Sequence, residues 1–150
     1  MNRTFTRVLV SLGLLMVAGL VVHSQAPAEK HEPGRYRVAI YNVSAGKHLA
    51  FLKYQAQQEA ISKEAGAPPT HWFRHLDGAS WDYIAIDHVG SGSEEEALGK
   101  KTDAIAKAKG LATGAAGQLE FRALISSHTD TYAMGPMTAE EMVKEAEKKN

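Results

Sequence analysis

The chain has 150 residues, with 17 lysines and arginines against 17 aspartates and glutamates, seven histidines and no cysteine. This balance leaves no basic footprint for nucleic acid. The missing cysteine excludes structural disulfides and a lipidated N-terminal cysteine.

Arg3 and Arg7 precede an uncharged apolar run from Val8 to Val22, and Ala26-Pro27-Ala28 follows as an A-x-A-like cleavage site. Residues 1–28 therefore read as a secretory signal peptide. The run is shorter than the roughly 18 to 20 apolar residues of a spanning helix, which favours cleavage over an uncleaved anchor. The expected location is periplasmic or secreted, with no membrane attachment after cleavage. Without Arg3 and Arg7 the 17 basic residues fall to 15 against 17 acidic ones, still close to neutral. About 120 residues then remain, enough for one domain and too few for two.

Glu29 to Gly34 is a polar lead (29–34) into a domain expected over 35–136, with a tail over 137–150. Arg35 to Val43 alternates with apolar residues on both sides, which predicts a central strand covered on each face. Ser44 is the expected cap of a helix that ends near Ala65, where Gly66 and Pro68-Pro69 stop it. Leu49, Leu52, Ala56 and Ala60 make one stripe of that helix, and Phe51, Tyr54, Ile61 and Ala65 make a second, roughly opposite. One stripe can lie on a sheet; the other then needs a helix or a second subunit.

Thr70 to Gly90 carries two aromatic and β-branched runs around Asp77-Gly78-Ala79-Ser80, the pattern of a β-hairpin. A four-residue loop sets Leu76 opposite Trp81, His75 opposite Asp82 and Phe73 opposite Ile84, so His75 and Asp82 are expected as a cross-strand pair. Beyond Gly90-Ser91-Gly92, Ser93 and Glu96 fit a capping box for a helix with Leu98, Ile105, Ala108 and Ala112 on its apolar stripe. Gly110, Gly114 and Gly117 predict a break over 110–117. A helical stretch over about 118–127 places Phe121, Leu124, Ile125 and His128 at buried-face spacing. Asp130 to Met134 is the expected last strand, closed by Gly135-Pro136. Thr138 and Glu141 repeat the capping pattern before a charged helix with Met142, Val143 and Ala146. That tail reads as a solvated helix, with wrapping of a partner subunit as the alternative.

The order strand, helix, strand, strand, broken helix, strand predicts an α+β, ferredoxin-like β-α-β-β-α-β antiparallel sheet with its helices on one face. The strands are apolar on both sides, and a homodimer stacking two sheets would hide the uncovered one. Val43-Ser44-Ala45-Gly46-Lys47, with Phe51 shortly after, resembles the strand-to-helix junction of dimeric α/β-barrel proteins, the superfamily of antibiotic-biosynthesis monooxygenases and NIPSNAP-like proteins. The resemblance covers most of residues 35 to 135 in element order. It implies a sheet-to-sheet homodimer with a cavity between each sheet and its own helices. The asparagine, tryptophan and histidine set of haem-degrading or quinone-forming members has no residue-by-residue match here.

His71 and His75 have the spacing of a helical metal pair, but on a strand they lie roughly 13 Å apart, and zinc to nitrogen distances are only about 2 Å, so no metal site is predicted. Trp72, Arg74, Trp81 and Tyr83 share one face of the hairpin. They form either the floor of a pocket for a planar or anionic ligand or a dimer interface, and the residue types favour the interface. His128 is the candidate acid, base or haem ligand in a helix-to-sheet cavity, beside the plainer reading of a satisfied core histidine. Tyr54 and Tyr41 accompany it as ligand-binding or proton-transfer groups. Ser126, Ser127, His128 and Asp130 lack the G-x-S-x-G elbow of a hydrolase, and Glu95 breaks the phosphate-loop pattern begun by Gly90 and Gly92.

The function that follows is an exported homodimeric α/β-barrel module binding a small apolar or aromatic ligand, with catalysis left open. The alternative is a cofactor-independent monooxygenase or isomerase, or a haem-handling protein, acting through His128. No cofactor is predicted, and haem enters only through that alternative.

Overall fold

The computed structural model describes residues 33–148; the signal peptide expected over 1–28 lies outside them. Strand β1 spans Gly34–Val43, helix α1 His48–Ala65, and strands β2 and β3 His71–Arg74 and Tyr83–His88. Helices α2 and α3 follow at Gly92–Ala108 and Gly114–Arg122, then strand β4 at Ile125–Gly135 and helix α4 at Ala139–Lys148. The sheet order is β2-β3-β1-β4, and every neighbouring pair is antiparallel. This is the ferredoxin-like α+β plan, with its second helical region split in two.

Burial along β1 shows how the layers lie. Tyr36, Val38 and Ile40 are half-buried on one side; on the other, Arg35 and Arg37 are exposed while Ala39, Tyr41 and Val43 are buried. Helices thus cover one face, and only from Ala39 onward. β1 is central by hydrogen bonding but is not covered on both faces as its alternation predicts. The covered face holds Ala39, Tyr41, Val43, Tyr83 and Ala85 with Phe51 and Ile125, and Trp72, Phe121 and Leu124 pack against them.

Helix α1 turns its Phe51 stripe to the sheet: Phe51 and Ile61 are fully buried, whereas Leu49 and Leu52 are 66% and 42% exposed. Ser44 does not cap it. The Lys47 amide donates to the Ser44 carbonyl, Gly46 takes φ 74°, and this extra turn delays the helix to His48, beyond reach of the Ser44 hydroxyl. At the other end Gly66, at φ 93°, adopts the left-handed conformation that only glycine takes at little cost, and its amide donates to the Lys63 carbonyl. The cap of α2 is Ser91 with Glu94, two residues before the predicted pair; Glu94 Oε2 accepts from the Ser91 amide at 2.7 Å and from its hydroxyl at 2.8 Å. Those hydrogen bonds hold the Glu94 carboxyl below the usual carboxylate range. The break lies at residues 109–113, earlier than the predicted 110–117, and Gly114 and Gly117 belong to α3. Gly117 lies so near the preceding loop that a Cβ there would sit 2.9 Å from the Ala112 carbonyl oxygen.

The helix predicted over 118–127 is too long, and His128 is not on it. α3 stops at Arg122 and β4 starts at Ile125, five residues before the expected Asp130. The spacing of Phe121, Leu124, Ile125 and His128 mimics a helical stripe, but pairing with β1 prevails. Tyr41 stands opposite His128 and Ala39 opposite Asp130. Where that register shifts near Val43, the Asn42 side-chain Nδ2 donates to Ser127 Oγ at 3.0 Å and Ser126 Oγ donates to the Asn42 backbone carbonyl at 3.1 Å.

The hairpin has the predicted register, with Phe73 opposite Ile84, Trp72 opposite Ala85 and Arg74 opposite Tyr83. Two expectations about it fail. His75 and Asp82 pair only through the backbone, the His75 amide donating to the Asp82 carbonyl at 2.9 Å. The Asp82 carboxylate instead accepts from the Val43 amide at 2.6 Å, a donor that lies beyond Tyr41, where the pairing of β1 with β3 ends. His75 then packs on Trp81 at 5.0 Å. Second, the Trp72–Tyr83 side of the hairpin, expected as an outer surface, lies on the helix side: Tyr83 is in the core and Trp72 packs against it, while Arg74 stays exposed. The face left open is the opposite one, with Tyr36, Val38, Ile40, Phe73, Ile84 and Ile86.

Candidate functional site

The sheet register gathers residues that are distant in sequence. Tyr41, 9% exposed, lies at the centre of the helix-side face. Trp72 stacks towards it from β2 at 5.9 Å, reaching across Ala85, whose small side chain leaves room for the indole. His128 stacks from β4 at 6.3 Å, with an interplanar angle of 20°. From the helix side Phe51 closes at 5.3 Å and Phe121 edge-on at 6.0 Å. The Trp72 indole N–H donates to Glu59 Oε1 of α1 at 2.9 Å, which fixes the ring's orientation.

Where the helix cover stops, this aromatic hub meets a polar rim. Arg37 donates to Asp87 Oδ2 through Nη2 at 2.7 Å and Nε at 3.2 Å, and Thr70 Oγ1 donates to the other oxygen, Oδ1, at 2.6 Å. His128 Nε2 is 3.8 Å from Asp130 Oδ2, and both side chains are partly open to solvent, 36% and 46% exposed. Burial pushes the Tyr41 hydroxyl up to about 12; Arg37 opposes this while Asp130 and Asp87 reinforce it. Tyr41 is therefore neutral across the physiological range. Burial alone would lower Arg37, but its bond to Asp87 and the nearby charges raise it overall, so it stays cationic.

Of the sequence-predicted residues, Tyr41, Trp72 and His128 meet here. Tyr54 lies one ring further out, stacked on Phe121 at 6.0 Å, its hydroxyl raised by burial and by Glu120. Tyr83 is buried under Phe51 at 5.4 Å, Arg74 is exposed, and Trp81 packs with His75 outside the cluster. Arg37, Asp87 and Asp130 were not anticipated as site residues. A signal for the first two was present: each lies in phase with core-facing neighbours, Arg37 with Ala39 and Tyr41, Asp87 with Ala85 and Tyr83.

The opposite face holds an apolar groove of about 350 Å³ lined by Tyr36, Val38, His71, Phe73, Ile86 and the turn at Met134 to Pro136. Among the described residues no group of three or more histidines and carboxylates could hold a metal ion, and no helix is long and apolar enough to cross a membrane. Around His128, Tyr41 stacks on the ring at 6.3 Å, Phe121 lies against it at 5.7 Å, and Nε2 is 3.8 Å from Asp130 Oδ2.

Fold and site together define an α+β, ferredoxin-like domain with an aromatic hub under its helices. No family model matches the chain, and no curated protein matches it. Among solved structures it is similar to protein Atu4242 from Agrobacterium tumefaciens, at 13% identity and a TM-score of 0.47, over 70% of this chain and 95% of that one. It is also similar to a mutant form of SnoaB, a cofactor-independent oxygenase from Streptomyces nogalater, at 17% identity and a TM-score of 0.47, over 73% of this chain and 98% of that one.

Proposed function

We propose that this protein is an exported, homodimeric α/β module that binds a small aromatic ligand at the rim of the Tyr41 cluster. The observation that carries the reading is the juxtaposition of stacked rings, Trp72, Tyr41 and His128, with the charged edge of Arg37, Asp87 and Asp130. Rings favour a planar apolar body, and the edge offers both donors and acceptors to a polar substituent. Export is supported by the leader pattern of residues 1–28, and the homodimer by the open apolar face of the sheet.

A direct test is quenching of tryptophan emission by 1-naphthol and 1-naphthoate in a Trp81→Phe background, which leaves Trp72 as the reporter. Saturable quenching that weakens about tenfold in Arg37→Gln and His128→Ala is expected, the loss of one good polar contact each. Absence of saturable quenching by either probe, together with no small molecule retained by the native protein in mass spectrometry, would count against ligand binding at this rim.

The second reading, a cofactor-independent monooxygenase or isomerase, rests on one contact: His128 lies between Tyr41 and Asp130, where a carboxylate can orient an imidazole for proton transfer. In that case His128→Ala abolishes turnover while leaving probe binding within a few-fold of native.

A further inference from the structure

The two edges of the sheet are built differently. β2, at one edge, has 4 residues and follows closely on Pro68-Pro69, so it offers a neighbour little free backbone. β4, at the other edge, has 11 residues, and every one from Ser126 to Met134 is exposed, whichever face it lies on. It contains no lysine, arginine or proline, and Asp130 is its one acidic residue. Its irregularity opposite Val43 lies at its start, so the ladder is regular from Ser127 onward. β1 takes up one side of its backbone, and no described strand pairs with the other. Long edges are ordinarily covered, bulged or heavily charged, because their free N–H and C=O groups are a template for a further strand.

The register with β1 sorts the side chains of β4 by face. His128, Asp130 and Tyr132 stand opposite Tyr41, Ala39 and Arg37 and lie on the helix side; Ser127, Thr129 and Thr131 stand opposite Asn42, Ile40 and Val38 and lie on the open face. A second copy added antiparallel to this edge is related to the first by a two-fold axis normal to the sheet. Such an axis keeps like faces together, so it must pass through a residue position, and side chains meet only others of their own face. With the axis at Asp130, two carboxylates stand against each other. At Thr131, Asp130 meets Tyr132 and His128 meets Met134. At Thr129, the His128 of each copy meets the Asp130 of the other, Ser127 meets Thr131, and Thr129 meets itself. This last register gives each imidazole a carboxylate acceptor and lines up hydroxyl side chains across the open face.

We infer that two copies of this chain pair edge to edge through β4, about an axis at Thr129, and that Asp130 of the second copy stands against His128 at the rim of the Tyr41 cluster. This rests on the homodimer proposed above; it names the strand that joins the copies and the residue each lends to the other's site. Within one chain His128 Nε2 and Asp130 Oδ2 are 3.8 Å apart, longer than a hydrogen bond, and the two side chains are 36% and 46% exposed, so both are open to a neighbour on the β4 side. Pairing turns two four-stranded sheets into one continuous sheet, with the helices of both copies on one side. The two open apolar faces then adjoin on the other side, as a single surface that sheet twist can curl upon itself.

The chain has no cysteine, so single cysteines introduced into the full-length protein report the register. Residues directly opposed across an antiparallel pair have Cα atoms about 4.5–5.5 Å apart, within the span of a disulfide. Mild oxidation is expected to join Thr129→Cys chains to one another on the open face. On the helix side it is expected to join a His128→Cys chain to an Asp130→Cys chain, while each of those two stays unjoined by itself. Thr129→Lys sets two ammonium groups against each other and is expected to weaken association in sedimentation at least ~10-fold, with the circular dichroism of a folded sheet retained. A native-affinity dimer in which Thr129→Cys stays unjoined, or in which Thr131→Cys joins itself instead, would overturn the β4 pairing and leave the homodimer standing. A native chain that is monomeric at about 100 µM would remove the homodimer and the pairing together. Cross-links in the expected register alongside no saturable quenching by 1-naphthol or 1-naphthoate would keep the pairing and count against the ligand alone.

Discussion

Phe51→Ala probes the packing that holds α1 to the sheet. Phe51 has no exposed surface, and its ring meets Tyr41 at 5.3 Å, stacks on Tyr83 at 5.4 Å and touches Trp72 edge-on at 6.2 Å. Truncating a buried phenylalanine to alanine costs about 3–5 kcal/mol, and lost ring pairs worth about 0.5–1.5 kcal/mol each place this site at the upper end. A loss of about 4–5 kcal/mol is a large fraction of the 5–15 kcal/mol or so that holds a domain folded. In urea, with a slope of about 2 kcal/mol/M, the unfolding midpoint drops by roughly 2 M. Leu52→Ala, one position along but on the exposed stripe, should cost less than about 1 kcal/mol. Both variants are compared at the same protein concentration, because the proposed subunit association would make apparent stability concentration-dependent. Equal shifts, or a larger one for Leu52, would show that the opposite stripe faces the sheet and would refute the packing described here.

Asp82→Ala removes the acceptor of the Val43 amide and should cost about 1–3 kcal/mol in urea unfolding, the usual penalty for stranding a buried donor; His75→Ala, which has no such role, should cost less. Tyr41 predicts an alkaline transition. Its folded pKa of about 12 lies above the roughly 10 of an unfolded chain, so its contribution to stability is complete below about pH 10 and is lost as pH rises through 12. Absorbance titration of the native protein should show a tyrosine ionising near pH 12, and Tyr41→Phe should remove that step.

Several features were legible because neighbours in sequence decide them. The hairpin register follows from the length of the Asp77 to Ser80 loop, the end of α1 from Gly66, the break after α2 from its glycines, and the cap of α4 from Thr138 and Glu141. Other features depended on competition that a local pattern does not reveal. Ser91 and Glu94 fit the capping spacing as well as Ser93 and Glu96 do, and the earlier pair adds length to the helix. The Phe121 to His128 stripe satisfies helical periodicity, yet ladder hydrogen bonds to β1 turn its second half into strand.

The candidate site shows the same division. Tyr41, Trp72 and His128 could be named as functional residue types from the sequence, but their stacking depends on three strands taking one order. Trp72, two strands from Tyr41 in that order, meets it only because Ala85 between them is small. Periodicity alone established that β1 and the hairpin are apolar on two sides and that α4 has one apolar edge, since side-chain direction repeats every two residues on a strand and every 3.6 on a helix. Which of those faces the helices bury, and which they leave open, was decided only by tertiary structure. That choice depends on how all the elements compete for a single core, and it turned Trp72 and Tyr83 towards the helices while leaving the face with Tyr36, Phe73 and Ile86 open.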